Sequence, residues 1–126
     1  MNKNRLLTIA AVTGLLASSS FFSTPALAHA HLKSAEPAAE STVESAPGQL
    51  TLHFTEALEP TFSTAGVTDS QGKTVKTEKA VVGDADKSAL IIPLEDTLSS
   101  GKYTVDWHVV AVDGHKTQGD YTFTVK

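Results

Sequence analysis

The sequence predicts an all-β domain, a small antiparallel β-sandwich, and three observations carry that prediction. Several segments alternate apolar and polar residues with period two, the pattern of strands buried on one face. Turn residues punctuate them at Pro47-Gly48, Asp69-Ser70-Gln71-Gly72, Gly83-Asp84-Ala85-Asp86 and Ser99-Ser100-Gly101. No stretch beyond residue 28 carries a long apolar helical stripe.

The elements follow in chain order. Gln49 to Glu56 reads QLTLHFTE, with Leu50, Leu52 and Phe54 alternating against Thr51, His53 and Thr55. Weaker strands are expected at Thr64 to Thr68 and Thr74 to Val82. Ser88 to Leu94 is a short apolar run, expected as a buried strand that ends near Pro93. Lys102 to Val112 is the longest, with Tyr103, Val105, Trp107 and Val109 on one face. Asp120 to Lys126 closes the chain, with Tyr121, Phe123 and Val125 alternating against Thr122 and Thr124. Short strands with this punctuation suit a two-sheet sandwich.

The first 28 residues have a different character. Lys3 and Arg5 lie in a charged start, an apolar run covers Leu6 to Ala17, and the segment ends Pro25-Ala26-Leu27-Ala28. That order is the layout of a secretory signal with small residues before the cut. The apolar run is shorter than the roughly 20 residues needed to cross a bilayer. Residues 1–28 are therefore expected to be a signal peptide cleaved after Ala28, which leaves 29–126 as one domain of 98 residues, periplasmic or secreted. Cleavage after Ala30 would use the poorer signal Ala28-His29-Ala30.

Cleavage removes two basic residues, so 8 of 10 basic and all 14 acidic residues remain, a formal charge of −6. An acidic chain argues against nucleic acid or anionic lipid as partner. There is no cysteine, so neither a disulfide nor a thiolate metal site is available. The single methionine, Met1, leaves with the signal, and the soft sulfur ligands that suit Cu(I) leave with it.

The cut makes His29 the first residue. A terminal histidine offers its α-amine and ring Nδ1 as a chelating pair, and an amine with a pKa of about 7.7–8.0 yields its proton readily to a metal near neutral pH. A second group lies late in the chain at Val112-Asp113-Gly114-His115-Lys116. In an extended backbone Asp113 and His115 point to the same side, and Gly114 lets the chain turn. Three nitrogens and a carboxylate oxygen would suit the tetragonal preference of Cu(II). Each part also has a plainer reading: His29 as an incidental residue of a loose terminus, and Asp-Gly as a common turn pair. His31, third from the amine, offers another arrangement, since a free H-A-H terminus can wrap Cu(II) with backbone amides. His53 and His108 sit on polar strand faces and are expected to pair within the sheets, with Trp107 in the core.

Three segments, HAHLKSAEPA, LTLHFTEAL and YTVDWHVVAVDGHKTQGDYTFTV, resemble the CopC family of copper-resistance and copper-homeostasis proteins in order and spacing. The resemblance implies a Greek-key, immunoglobulin-like or cupredoxin-like sandwich, not an enzyme. It implies Cu(II) held by the amine and Nδ1 of His29, a ring nitrogen of His115 and an oxygen of Asp113. Glu56 matches a position sometimes placed near the copper, and His31 is left as a bystander or supporting group. The implied role is copper resistance, buffering, or delivery to a CopD-type membrane protein, as a monomer whose site needs no second chain. Some members carry a Met-rich Cu(I) site, but Phe62 to Val82 holds no methionine or histidine, which leaves a Cu(II)-only version. Two alternatives are a copper-dependent oxidative enzyme acting on polysaccharide and a metal-free interaction sandwich. The mature aromatics, Trp107, Tyr103, Tyr121, Phe54, Phe62 and Phe123, offer little for a sugar platform.

Overall fold

The computed structural model describes residues 30–126, so the expected signal segment and His29 lie outside the described residues. Among the described residues eight strands form two four-stranded sheets. One sheet has the order β1 (Leu32–Glu36), β3 (Gln49–Phe54), β6 (Ala89–Pro93), β5 (Val81–Val82). The other has the order β2 (Thr42–Val43), β8 (Lys116–Val125), β7 (Gly101–Val110), β4 (Thr64–Thr68).

The period-two pattern translates directly into the core. Leu50, Leu52 and Phe54 of β3 are buried, as are Leu90 and Ile92 of β6. They meet Tyr103, Val105, Trp107 and Val109 of β7 and Tyr121, Phe123 and Val125 of β8 in one apolar cluster. Each large side chain of this kind contributes roughly 1.5–3 kcal/mol by leaving water. Across the sheets, Phe54 meets Trp107 edge-to-face, with ring centroids 5.0 Å apart at 75°. Within one sheet, Tyr103 stacks on Phe123 at 5.6 Å, as their cross-strand register requires.

Several expectations are corrected. β1 was not expected: only Ala35 of its five residues is buried and its pairing with β3 is irregular between Leu32 and Ser34, so no clean alternation marks it. Nor was β2, whose two residues pair parallel with β8 at Thr42↔Thr124 and Val43↔Val125, so the sandwich is not wholly antiparallel. The expected strand over Thr74 to Val82 shrinks to Val81–Val82, with isolated bridges at Thr68↔Thr74 and Thr77↔Leu94. Lys73, Lys76, Glu78 and Lys79 are exposed there and give no continuous buried face. β8 begins at Lys116 rather than Asp120. Its first half is polar, and Gly119, with no side chain, hides the alternation.

Gly119 has a specific reason to be glycine. It pairs with Trp107, whose indole lies across it: a Cβ there would fall 2.5 Å from Trp107 Cζ2. The ring cannot give way, because Phe54 stands against it. Gly119→Ala should therefore lower unfolding stability by about 1–3 kcal/mol, as overpacking does, measurable by denaturant unfolding with Trp107 fluorescence as the probe.

Tyr121 is 7% exposed, and its hydroxyl has no hydrogen-bond partner among the described residues. Burial pushes its phenol up from 10.0 to about 12. The folded state holds the phenolic proton more tightly than the unfolded chain, so this contribution is complete below pH about 10 and is lost as pH rises towards about 12. An ultraviolet titration should show one tyrosine ionising late, with stability falling across that window.

Candidate metal centre

Asp113 and His115 sit at the loop that joins β7 to β8. The loop is tight rather than extended, which corrects the extended backbone expected around Asp113 and His115. Ala111 N–H donates to His115 O at 2.9 Å, and Gly114 N–H donates to Ala111 O at 2.8 Å. Val112-Asp113-Gly114 thus makes a three-residue hairpin loop, with Gly114 at φ +91°, the left-handed conformation that favours glycine. Asp113 Oδ1 accepts the His115 backbone N–H at 3.0 Å, which pins the carboxylate over the turn.

The side chains meet as well. Asp113 Oδ2 lies 3.0 Å from His115 Nδ1, with the imidazole 57% and the carboxylate 36% exposed. The plain turn and the donor pair are therefore the same object. Neighbouring ligands on an ion bound at about 2 Å stand roughly 3 Å apart in a tetragonal set, so this N–O pair has the spacing to share one ion. Among the described residues no cluster of three or more His, Cys, Asp or Glu side chains is placed to hold a metal, so the pair is a partial site.

Two other segments reach this end of the sandwich. Ala30, fully buried, offers its carbonyl to the Thr117 hydroxyl at 2.6 Å. Thr117 lies two residues beyond His115, about 7 Å along β8. The backbone N–H of His31 donates to Thr55 Oγ1 at 3.0 Å, and Thr55 N–H donates back to His31 O at 2.9 Å. Leu58 bridges to Ala111, and Val112 N–H donates to Ala57 O at 3.0 Å, so the segment after β3 braces the hairpin. Glu56 is exposed between these two attachments, flanked by the start of the domain and the Asp113 loop.

The remaining histidines are elsewhere. His53 is half-buried with Nδ1 3.8 Å from Asp86 Oδ2. The two Ser88 hydrogen bonds, side chain first, hold the Asp86 carboxyl below its ordinary range. His108 is exposed on the outer face of β7, opposite Gln118 and Thr64 in the ladders. Thr55 and Thr117 were not singled out from sequence: their bonds span 24 and 87 residues, and no local pattern marks them.

Comparison with known proteins follows the same lines. Residues 32–126 match the CopC domain. Protein YobA of Escherichia coli (strain K12) is 52% identical over 99 residues, which are 79% of this chain and 80% of that protein. Copper resistance protein C of Escherichia coli is 41% identical over 128 residues, covering 96% of this chain and 98% of that protein. The crystal structure of PcoC, a methionine-rich copper resistance protein from Escherichia coli, superposes with a TM-score of 0.72 at 38% identity, over 79% of this chain and 100% of that chain. The same two-sheet sandwich, the matched domain and the level of identity agree, and the chain belongs to the CopC family of copper-binding, non-enzymatic copper resistance proteins.

Proposed function

We propose that this protein is an exported carrier that binds Cu(II) at the mature N-terminus exposed by cleavage after Ala28. His29 supplies its α-amine and Nδ1, His115 a ring nitrogen and Asp113 an oxygen. The observation that supports this most directly is the anchoring of Ala30. The residue that follows His29 is buried and bonded to Thr117, at the end of the fold that carries Asp113 and His115. This anchoring of Ala30 supports reading the residue before it as a ligand that joins Asp113 and His115.

The proposed donors favour Cu(II). PcoC is described as methionine-rich, whereas this chain has one methionine, Met1, and no cysteine. Nitrogen and carboxylate oxygen suit Cu(II), and soft sulfur would suit Cu(I). CopC-family proteins work outside the cytoplasm, where such a carrier would buffer copper or pass it to a CopD-type membrane protein. Copper is cargo here, so the site is open and at the surface rather than sealed within the core.

The test compares the form beginning at His29 with a form carrying one extra residue before it. In a Cu(II) titration followed by electron paramagnetic resonance, the extended form should lose the amine ligand and bind more than about tenfold more weakly, about 1.4 kcal/mol. Identical spectra and affinities for the two would sink the terminal-amine model. His115→Ala should remove one nitrogen from the spectrum yet shift folding stability by no more than about 0.5 kcal/mol, since the ring is exposed.

A further inference from the structure

A mature chain that begins His29-Ala30-His31 offers Cu(II) two incompatible sites. One uses the amine and Nδ1 of His29 with Asp113 and His115. The other wraps the ion in four nitrogens: the His29 amine, the backbone nitrogens of Ala30 and His31, and the His31 ring. In this second mode the two amide protons pass to solvent as the two N–Cu bonds form, and residues 29–31 must curl around the ion.

We propose that Thr55 and Thr117 act as a clamp that closes the second mode and directs copper to the first. Neither residue would touch the metal; both are positioning residues, and the inference rests on the terminal-amine reading of the site. The amide that the wrapped mode must deprotonate, His31 N–H, is donated to Thr55 Oγ1 at 3.0 Å. The His31 carbonyl is held by Thr55 N–H at 2.9 Å, which ties the residue from both sides of its backbone. The Ala30 carbonyl is held by the Thr117 hydroxyl at 2.6 Å, and Leu32 already pairs with Phe54. Thr55 follows β3 in one sheet and Thr117 belongs to β8 in the other, so the chain start is fastened to both layers. A buried, tethered Ala30 cannot curl around an ion without breaking these bonds. Supporting groups of this kind commonly change metal affinity by roughly 10–100-fold.

The experiment uses the full mature chain beginning at His29, with Cu(II) ions as the probe. Electron paramagnetic resonance and visible absorption distinguish three nitrogens and one oxygen from a four-nitrogen set containing amide nitrogens. The variant Thr55→Val with Thr117→Val keeps side-chain shape but removes both hydroxyls. It should bind the Asp113–His115 site roughly tenfold more weakly and move to the four-nitrogen spectrum. Adding His31→Ala should abolish that new spectrum. Thr55→Ser with Thr117→Ser should restore the wild-type spectrum, which separates the hydroxyls' role from general loss of packing. A valine variant with wild-type spectrum and affinity overturns the clamp and leaves the terminal-amine reading standing. A wild-type spectrum unchanged by an extra residue before His29 overturns that reading itself. A four-nitrogen spectrum in the wild type overturns the clamp as well.

Discussion

The register of the β7–β8 hairpin is the constraint on which the rest depends. Ten residue pairs run from Gly101 opposite Val125 to Val110 opposite Lys116. That register places Trp107 over Gly119, the position where the absence of a Cβ lets the indole lie flat and reach Phe54 in the other sheet. It also sets the three-residue loop that brings Asp113 against His115, and it puts Thr117 where Ala30 needs a donor. A slip of one residue would turn every interior side chain of a strand outward. Core and candidate site would therefore be lost together.

The domain has no disulfide available, since the chain has no cysteine. Its stability rests on side chains interleaved between the sheets, with aromatic pairs at Phe54–Trp107 and Tyr103–Phe123. The buried apolar part lies in the middle of the sandwich. The candidate site lies at one end, where the Asp113 loop, the segment after β3 and residues Ala30 and His31 come together. This division suits the proposed carrier role. Ligands on a surface loop can exchange an ion without disturbing the core, while hydrogen bonds involving Ala57, Ala111 and His115 keep the loop's geometry defined.

The candidate donor pair, Asp113 and His115, is economical in structure. Asp113 serves the turn through Oδ1, which accepts the His115 amide, and faces the imidazole through Oδ2. Gly114, at positive φ, permits the turn that brings them together. A hairpin that ended in another loop type would separate the two side chains even with the same residues present.

Much was legible in the sequence because strands alternate. Leu50, Leu52 and Phe54, then Tyr103 to Val109, and Tyr121 to Val125 announce their buried faces by residue type alone. Local pattern failed where alternation was short or interrupted: the parallel pair of Thr42–Val43 with β8, the irregular β1, and the polar start of β8 through Gly119. It also failed wherever a role depends on a distant neighbour. Gly119 owes its identity to the Trp107 ring, and Thr55 and Thr117 owe theirs to the backbone of residues 30 and 31. The amino-acid sequence by itself determined the fold class and the family pattern, because these are written in composition and local periodicity. Only the tertiary structure decided which segments share one end of the sandwich, because that depends on strand pairing and hydrogen bonds between residues far apart in the chain.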